Sequence, residues 1–136
     1  MIRLKQLLAE QDMPIDAWAE FTTAVLNMNV KNKDLQPKLG EWGDDKQSLN
    51  WGTNTSPVTM SIQKGETELY VFKSPDATSS NTTEGLLKWW RNQGYTVNIQ
   101  TNSIIVDYTN KEQRNQLVSD IKSFLNHPMF QPGYYK

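Results

Sequence analysis

The sequence predicts an α+β fold in a single domain: N-terminal helices, then a ββαββα unit whose antiparallel four-stranded sheet carries its helices on one face. Three observations carry this. Between Asn81 and Tyr108 the apolar period changes from helical to alternating; two alternating runs flank Gly65; and a helical stripe follows Tyr108.

In the N-terminal part, residues 1–30, Ile2, Leu4, Leu7 and Leu8 share one helical face among Arg3, Lys5, Gln6 and Glu10, which predicts a short amphipathic helix. The opening Met1-Ile2-Arg3-Leu4-Lys5-Gln6-Leu7-Leu8 resembles the first residues of small proteins encoded by tailed phages of marine bacteria; this resemblance covers eight residues and implies no activity or site. Asp12 is expected to cap a second helix with Pro14 in its first turn, where a missing N–H costs nothing. Trp18, Phe21, Val25 and Met28 then recur at spacings of three and four, a stripe of the kind that faces a core.

Residues 31–57 lose this period and are punctuated by Pro37, Gly40, Gly43, Gly52 and Pro57, which predicts an irregular connection or a small hairpin. Trp42 and Trp51 stand either side of Asp44 and Asp45. Unfolded segments are poor in aromatic residues, so residues 41–43 and 49–52 are expected to pack on the domain as an extra hairpin turned at the two aspartates.

The ββαββα core, residues 58–126, is read element by element. Val58, Met60 and Ile62 alternate with Thr59, Ser61 and Gln63, and Gly65 turns the chain into Glu68–Lys73. That second strand is apolar on both faces, with Leu69 and Val71 on one and Tyr70 and Phe72 on the other. Asn81 with Glu84 predicts a helix start and Gly94 its end, with Leu86, Leu87 and Trp90 on the buried side. Tyr95, Val97 and Ile99 alternate in a strand, Thr101-Asn102 turns it, and Ser103 to Tyr108 returns. Thr109 with Glu112 predicts the start of the last helix, which carries Leu117, Val118, Ile121, Phe124 and Leu125 and stops before Pro128. Ile105, together with one of the two pairs on Glu68–Lys73, falls on a second sheet face too apolar to leave wet.

Composition narrows the function classes. The 136 residues have a net charge of -1 and a pI near 5.8, so there is no broad positive field, and nucleic acid is disfavoured as a partner. Zero cysteines exclude disulfides, thiolate metal sites and cysteine nucleophiles. No apolar run approaches the roughly 20 residues that span a bilayer, and the N-terminus lacks the apolar stretch of a signal peptide; a soluble, cytoplasmic protein without membrane contact is expected.

No catalytic, metal or cofactor set emerges, and no cofactor is expected. His127 is the only histidine and suits a helix end; Asp44, Asp45 and Glu41 lack the spacing of a calcium loop; Gly40 and Gly43 are followed by no Gly-Lys-Ser/Thr; no serine sits in a nucleophile elbow. What remains is a surplus of aromatic residues, with five tryptophans and five tyrosines. Candidate partner-binding residues are Tyr70, Phe72, Trp89, Ile105, Phe130, Tyr134 and Tyr135, the last three in a tail, residues 127–136, that either docks on its own chain or forms a recognition arm. The expected function is a non-catalytic protein-binding or assembly module that forms a homo-oligomer. One alternative is single-stranded nucleic-acid binding, with Tyr70, Phe72, Trp89 and Tyr95 stacking on bases and Lys73, Lys88 and Arg91 on phosphates. Another is an enzyme or small-ligand pocket lined by Trp42 and Trp51.

Overall fold

The structure, a computed structural model, describes residues 16–40, 48–52, 56–74 and 82–130. The first described helix, α1 (Ala17–Leu26), is capped by Asp16, whose carboxylate accepts from the backbone N–H of Trp18 at 3.1 Å and of Ala19 at 3.2 Å. The expected cap Asp12 and the helix over Ile2 to Leu8 lie outside the described residues. A 3-10 turn (Lys33–Leu35) leads into β1 (Lys38–Leu39), which pairs antiparallel with β2 (Ser48–Trp51) in the register Leu39↔Leu49. A hairpin is present, but its first arm is Lys38–Leu39 and not the expected residues 41–43, which lie outside the described residues together with Asp44 and Asp45.

β3 (Val58–Gln63) and β4 (Glu68–Lys73) follow, then α2 (Thr83–Asn92), β5 (Thr96–Asn98), β6 (Ser103–Ile105) and α3 (Lys111–Leu125). The strands form one antiparallel sheet in the order β1-β2-β3-β4-β6-β5. It has six strands where four were expected, because the early hairpin joins the edge of β3 through Leu49↔Ile62 and Trp51↔Met60. Its two-residue first strand has no period to read, so the sequence pattern alone could not enlist it in the sheet.

Two helix starts move by one residue. Thr82 caps α2 by accepting from Gly85 N–H, and Asn110 caps α3 by accepting from Gln113 N–H; the expected caps were Asn81, which lies outside the described residues, and Thr109. Thr109 is engaged instead by the Asp107 carboxylate, which accepts from both its backbone N–H and its hydroxyl. The last hairpin is also shorter than its alternation suggested. Asn98 Oδ1 accepts from Gln100 N–H at 3.0 Å and Thr101 N–H at 3.3 Å, which curls the chain out of the strand and leaves Ile99 50% exposed.

The three described helices pack against one side of the sheet. Leu49, Trp51, Met60, Ile62, Leu69, Val71 and Ile104 point to that side and meet Trp18, Phe21 and Val25 of α1, Leu86, Leu87 and Trp90 of α2, and Leu117, Ile121 and Phe124 of α3 in one buried cluster. Arg114 is buried and ties the layer together: Nη1 donates to the carbonyl oxygens of Tyr108 and Thr109, and Nη2 reaches Glu20 Oε1 on α1 at 3.4 Å. Asn126 clamps the chain after α1 to the end of α3, accepting from Lys31 N–H at 2.8 Å and donating to Asn29 O at 3.2 Å.

Gly52 and Gly65 share a φ of +87°, but only at Gly52 is the space filled: a Cβ there would stand 2.3 Å from the Val58 carbonyl oxygen, whereas at Gly65 nothing lies within 4 Å. Gly65→Ala should therefore cost about 1–2 kcal/mol from backbone strain alone, and Gly52→Ala clearly more. Urea denaturation of both variants checks this; equal costs would contradict the close approach of β2 to β3.

Candidate functional site

The strand period of two sends alternate residues to the side of the sheet away from the helices. On β4 these are Glu68, Tyr70 and Phe72, on β3 Thr59, Ser61 and Gln63, and on β6 Ser103 and Ile105. Cross-strand register aligns Lys38, Asn50, Ser61, Tyr70, Ser103 and Asn98 in one polar row across all six strands. On either side of that row stand Phe72 and Ile105, each 41% exposed, and a depression of about 350 Å³ opens beside Phe72 against Thr59, Met60 and Ser61. None of the three described helices lies over this face, but it is not open throughout: Ser48 and Asn50 of β2 and Ser103 of β6 are buried, and the exposed part centres on Phe72 and Ile105.

Tyr70 and Phe72 are two apart on β4, and their rings lie nearly parallel, at 7° with centroids 6.4 Å apart. The Tyr70 hydroxyl donates to Glu68 Oε2 at 2.7 Å. That bond to a carboxylate, with lesser contributions from burial and from the negative charge of Glu68, pushes the phenol up to about 12. Tyr70 is thus a fixed neutral ring whose hydroxyl is already committed. Lower in the row, Asn50 is buried and donates to Ser48 Oγ at 3.2 Å, while its Oδ1 meets no donor. The face combines a small apolar patch with short polar side chains, a mixture suited to contact with another surface and supplying no nucleophile–base pair.

Comparison with protein-family models, with curated proteins and with solved structures gives no match. What this face can do has to follow from its own geometry.

Of the residues singled out from the sequence, Tyr70, Phe72 and Ile105 come together here. Trp89 does not: it sits half-buried in the helix layer, its ring 5.2 Å from Trp90 and 5.0 Å from Phe124. Phe130 is 1% exposed and packs on Phe124 at 5.1 Å, held by Asn32, which donates to its carbonyl oxygen. This part of the tail docks on its own chain, so Phe130 offers no surface to a partner. Trp51 is fully buried, so it lines no open pocket, and Trp42, Tyr134 and Tyr135 lie outside the described residues. The nucleic-acid set is split: Tyr70 and Phe72 are on the open face, while Trp89 and Tyr95 belong to the helix side with Lys88 and Arg91 of α2. His127 is half-buried with its ring 6.5 Å from Phe130. Among the described residues, no three His, Asp or Glu side chains converge on a metal position and no helix is long and apolar enough to cross a membrane.

The row-forming residues Ser61, Ser103 and Asn98 were not singled out from the sequence. Their alternation with apolar neighbours was legible, but only the pairing register shows that they are contiguous.

Because its folded-state ionisation lies above the ordinary value near 10, Tyr70 contributes stability that is fully present below that value and is lost as pH rises through about 12. Carbon-13 NMR titration of the tyrosine Cζ resonances should find Tyr70 ionising near 12, and Glu68→Gln should bring it down toward ordinary phenol. An unchanged value in Glu68→Gln would contradict the hydrogen-bond assignment.

Proposed function

We propose that this chain is a binding and assembly module whose open sheet face docks against the same face of a second copy. The observation that carries the reading is the pairing of an inner face sealed by helices over β2, β3, β4 and β6 with an outer face on which Tyr70, Phe72 and Ile105 stand outside the helix layer.

Two further features favour a second copy as the occupant. The net charge of -1 sets up little repulsion between copies. The sheet edges are poor templates for edge-to-edge addition, since β1 has two residues and β5 has three. Because Ser48 and Asn50 of β2 are buried, the open part of the face is limited to β3, β4, β6 and β5, which at about 4.8 Å between strands and about 3.3 Å per residue give roughly 300 Å². That is well under half of the ~800 Å² per partner of a standard interface, so the dimer is weak and concentration-dependent.

Gel filtration with light scattering, run from micromolar to millimolar concentration, should show the mass rising toward that of a dimer. Phe72→Asp should hold the chain monomeric without lowering its thermal midpoint, since the residue is outside the core. A wild-type monomer at millimolar concentration, or a dimer indifferent to Phe72→Asp, contradicts the reading.

A further inference from the structure

At the β5 margin of the sheet the chain leaves a notch. Gly94, at φ +100°, ends α2, and the backbone N–H of Tyr95 is still bonded to Trp90 O, so β5 starts only at Thr96. The chain of β6 meanwhile runs on past Ile105, with Val106 N–H bonded to Thr67 O at 2.8 Å on the β4 side. The first turns of α3 close the third side, leaving a cleft of about 360 Å³.

The chemistry of this cleft is one-sided. Its charged lining residues are Asp107 and Asp120; its other polar lining comes from glutamines, threonine and Tyr95, and no Lys, Arg or His lines it. Asp120 is the more telling of the acids, since it is only 9% exposed. Its Oδ2 accepts from the Tyr95 hydroxyl at 2.6 Å and its Oδ1 from Gln116 Nε2 at 3.0 Å, and both donors are neutral. Burial, followed by that bond to Asp120, pushes the Tyr95 phenol up, so it stays a donor. A carboxylate this deeply placed ordinarily has a cationic neighbour. No described cationic side chain is paired with Asp120, and the two neutral bonds leave about half of its roughly four acceptor positions unused. At the mouth, bonds from Thr109 hold the Asp107 carboxyl below its usual range, so it is ionised at neutral pH. Ile105, 41% exposed, supplies the accessible apolar part of the lining, backed by the buried Val106 and Leu117.

We propose that this cleft binds an organic cation, a guanidinium or ammonium head on an aliphatic stem, with the head at Asp120, the Asp107 carboxylate adding negative potential at the mouth, and the stem along Ile105. The head supplies the positive charge and several N–H donors that the buried carboxylate lacks, and the stem exchanges water for that apolar side chain. Such a head reaches the cleft either on a free small molecule or on an arginine side chain of a peptide.

The test is NMR titration of the wild-type chain with agmatine, with an acetylated and amidated Gly-Arg-Gly peptide, and with the neutral analogue N-butylurea. Saturable shifts of the Gln113 and Gln116 side-chain amides are expected with agmatine or with the peptide, and none with N-butylurea. Saturation by agmatine alone identifies a free cation, and saturation by the peptide an arginine side chain. Gln113→Lys places a like charge in the cleft from an exposed position and should weaken binding at least about tenfold, with the remaining amide spectrum unchanged. Asp120→Asn, which removes the charge and keeps a carbonyl acceptor for Tyr95, should do the same. Phe72→Asp, on the other side of the sheet row, should leave binding as it was. The proposal is overturned by absence of saturable shifts with both cations, by equal shifts from N-butylurea, or by undiminished binding in Gln113→Lys.

Discussion

A strand that is apolar on both sides needs cover on both sides, and β4 has helices on one. Leu69 and Val71 are sealed by the helix layer, while Tyr70 and Phe72, displaced by one residue each, face the other way. Chain connectivity explains why the helices cannot share themselves out. β6 lies between β4 and β5, so α2 must cross the sheet on a single face to deliver β5. α3 follows β6 and stacks Phe124 on Trp90, and α1 is fastened to α3 through Arg114 and Glu20. Each step commits the next helix to the same side.

The inner layer gains enough from this arrangement to tolerate local losses. Trp51 and Trp90 are fully buried and neither indole N–H finds an acceptor, a deficit of about 1–3 kcal/mol for each. Both rings nevertheless fill the space between sheet and helices, and Trp90 adds edge-on contacts to Trp89 and Tyr95 at 5.2 Å. Large aromatic volume is therefore valued here above polar satisfaction. The outer face follows the opposite logic, with Asn50, Ser61, Ser103 and Asn98 making most of the row beside Lys38 and Tyr70, and Phe72 and Ile105 standing out of it as exposed apolar groups.

Much of this was legible in the sequence because period reports burial directly. The alternation of Val58, Met60 and Ile62 and the stripes on all three described helices matched their buried faces. Helix starts were less legible, since Asn81 and Thr82, or Thr109 and Asn110, can each serve as a cap; at Thr109 the deciding factor is the Asp107 carboxylate two residues back. The β1–β2 hairpin joins the sheet through pairing with β3, a non-local choice that leaves no periodic trace in two residues. The open face was legible only as an either-or between two residue pairs, and register resolved it in favour of Tyr70 and Phe72. The cleft at Asp120 was not singled out at all. Its one sequence signal is Gln116 four residues before Asp120 on a helix, a spacing common to many exposed pairs, and the partner Tyr95 comes from 25 residues earlier.

The two sides of β4 differ in kind: Leu69 and Val71 are closed within the subunit, while Tyr70 and Phe72 stand outside the helix layer on the face proposed for association. Paramagnetic relaxation by a neutral, freely diffusing probe, read at methyl and aromatic protons, addresses this difference directly. In dilute solution Phe72 and Ile105 should broaden strongly while Val71 and Ile104, their neighbours in sequence, stay sharp, and the first pair should regain protection as concentration rises. Equal protection of all four residues at high dilution would mean that the subunit covers both faces by itself, and would contradict the account.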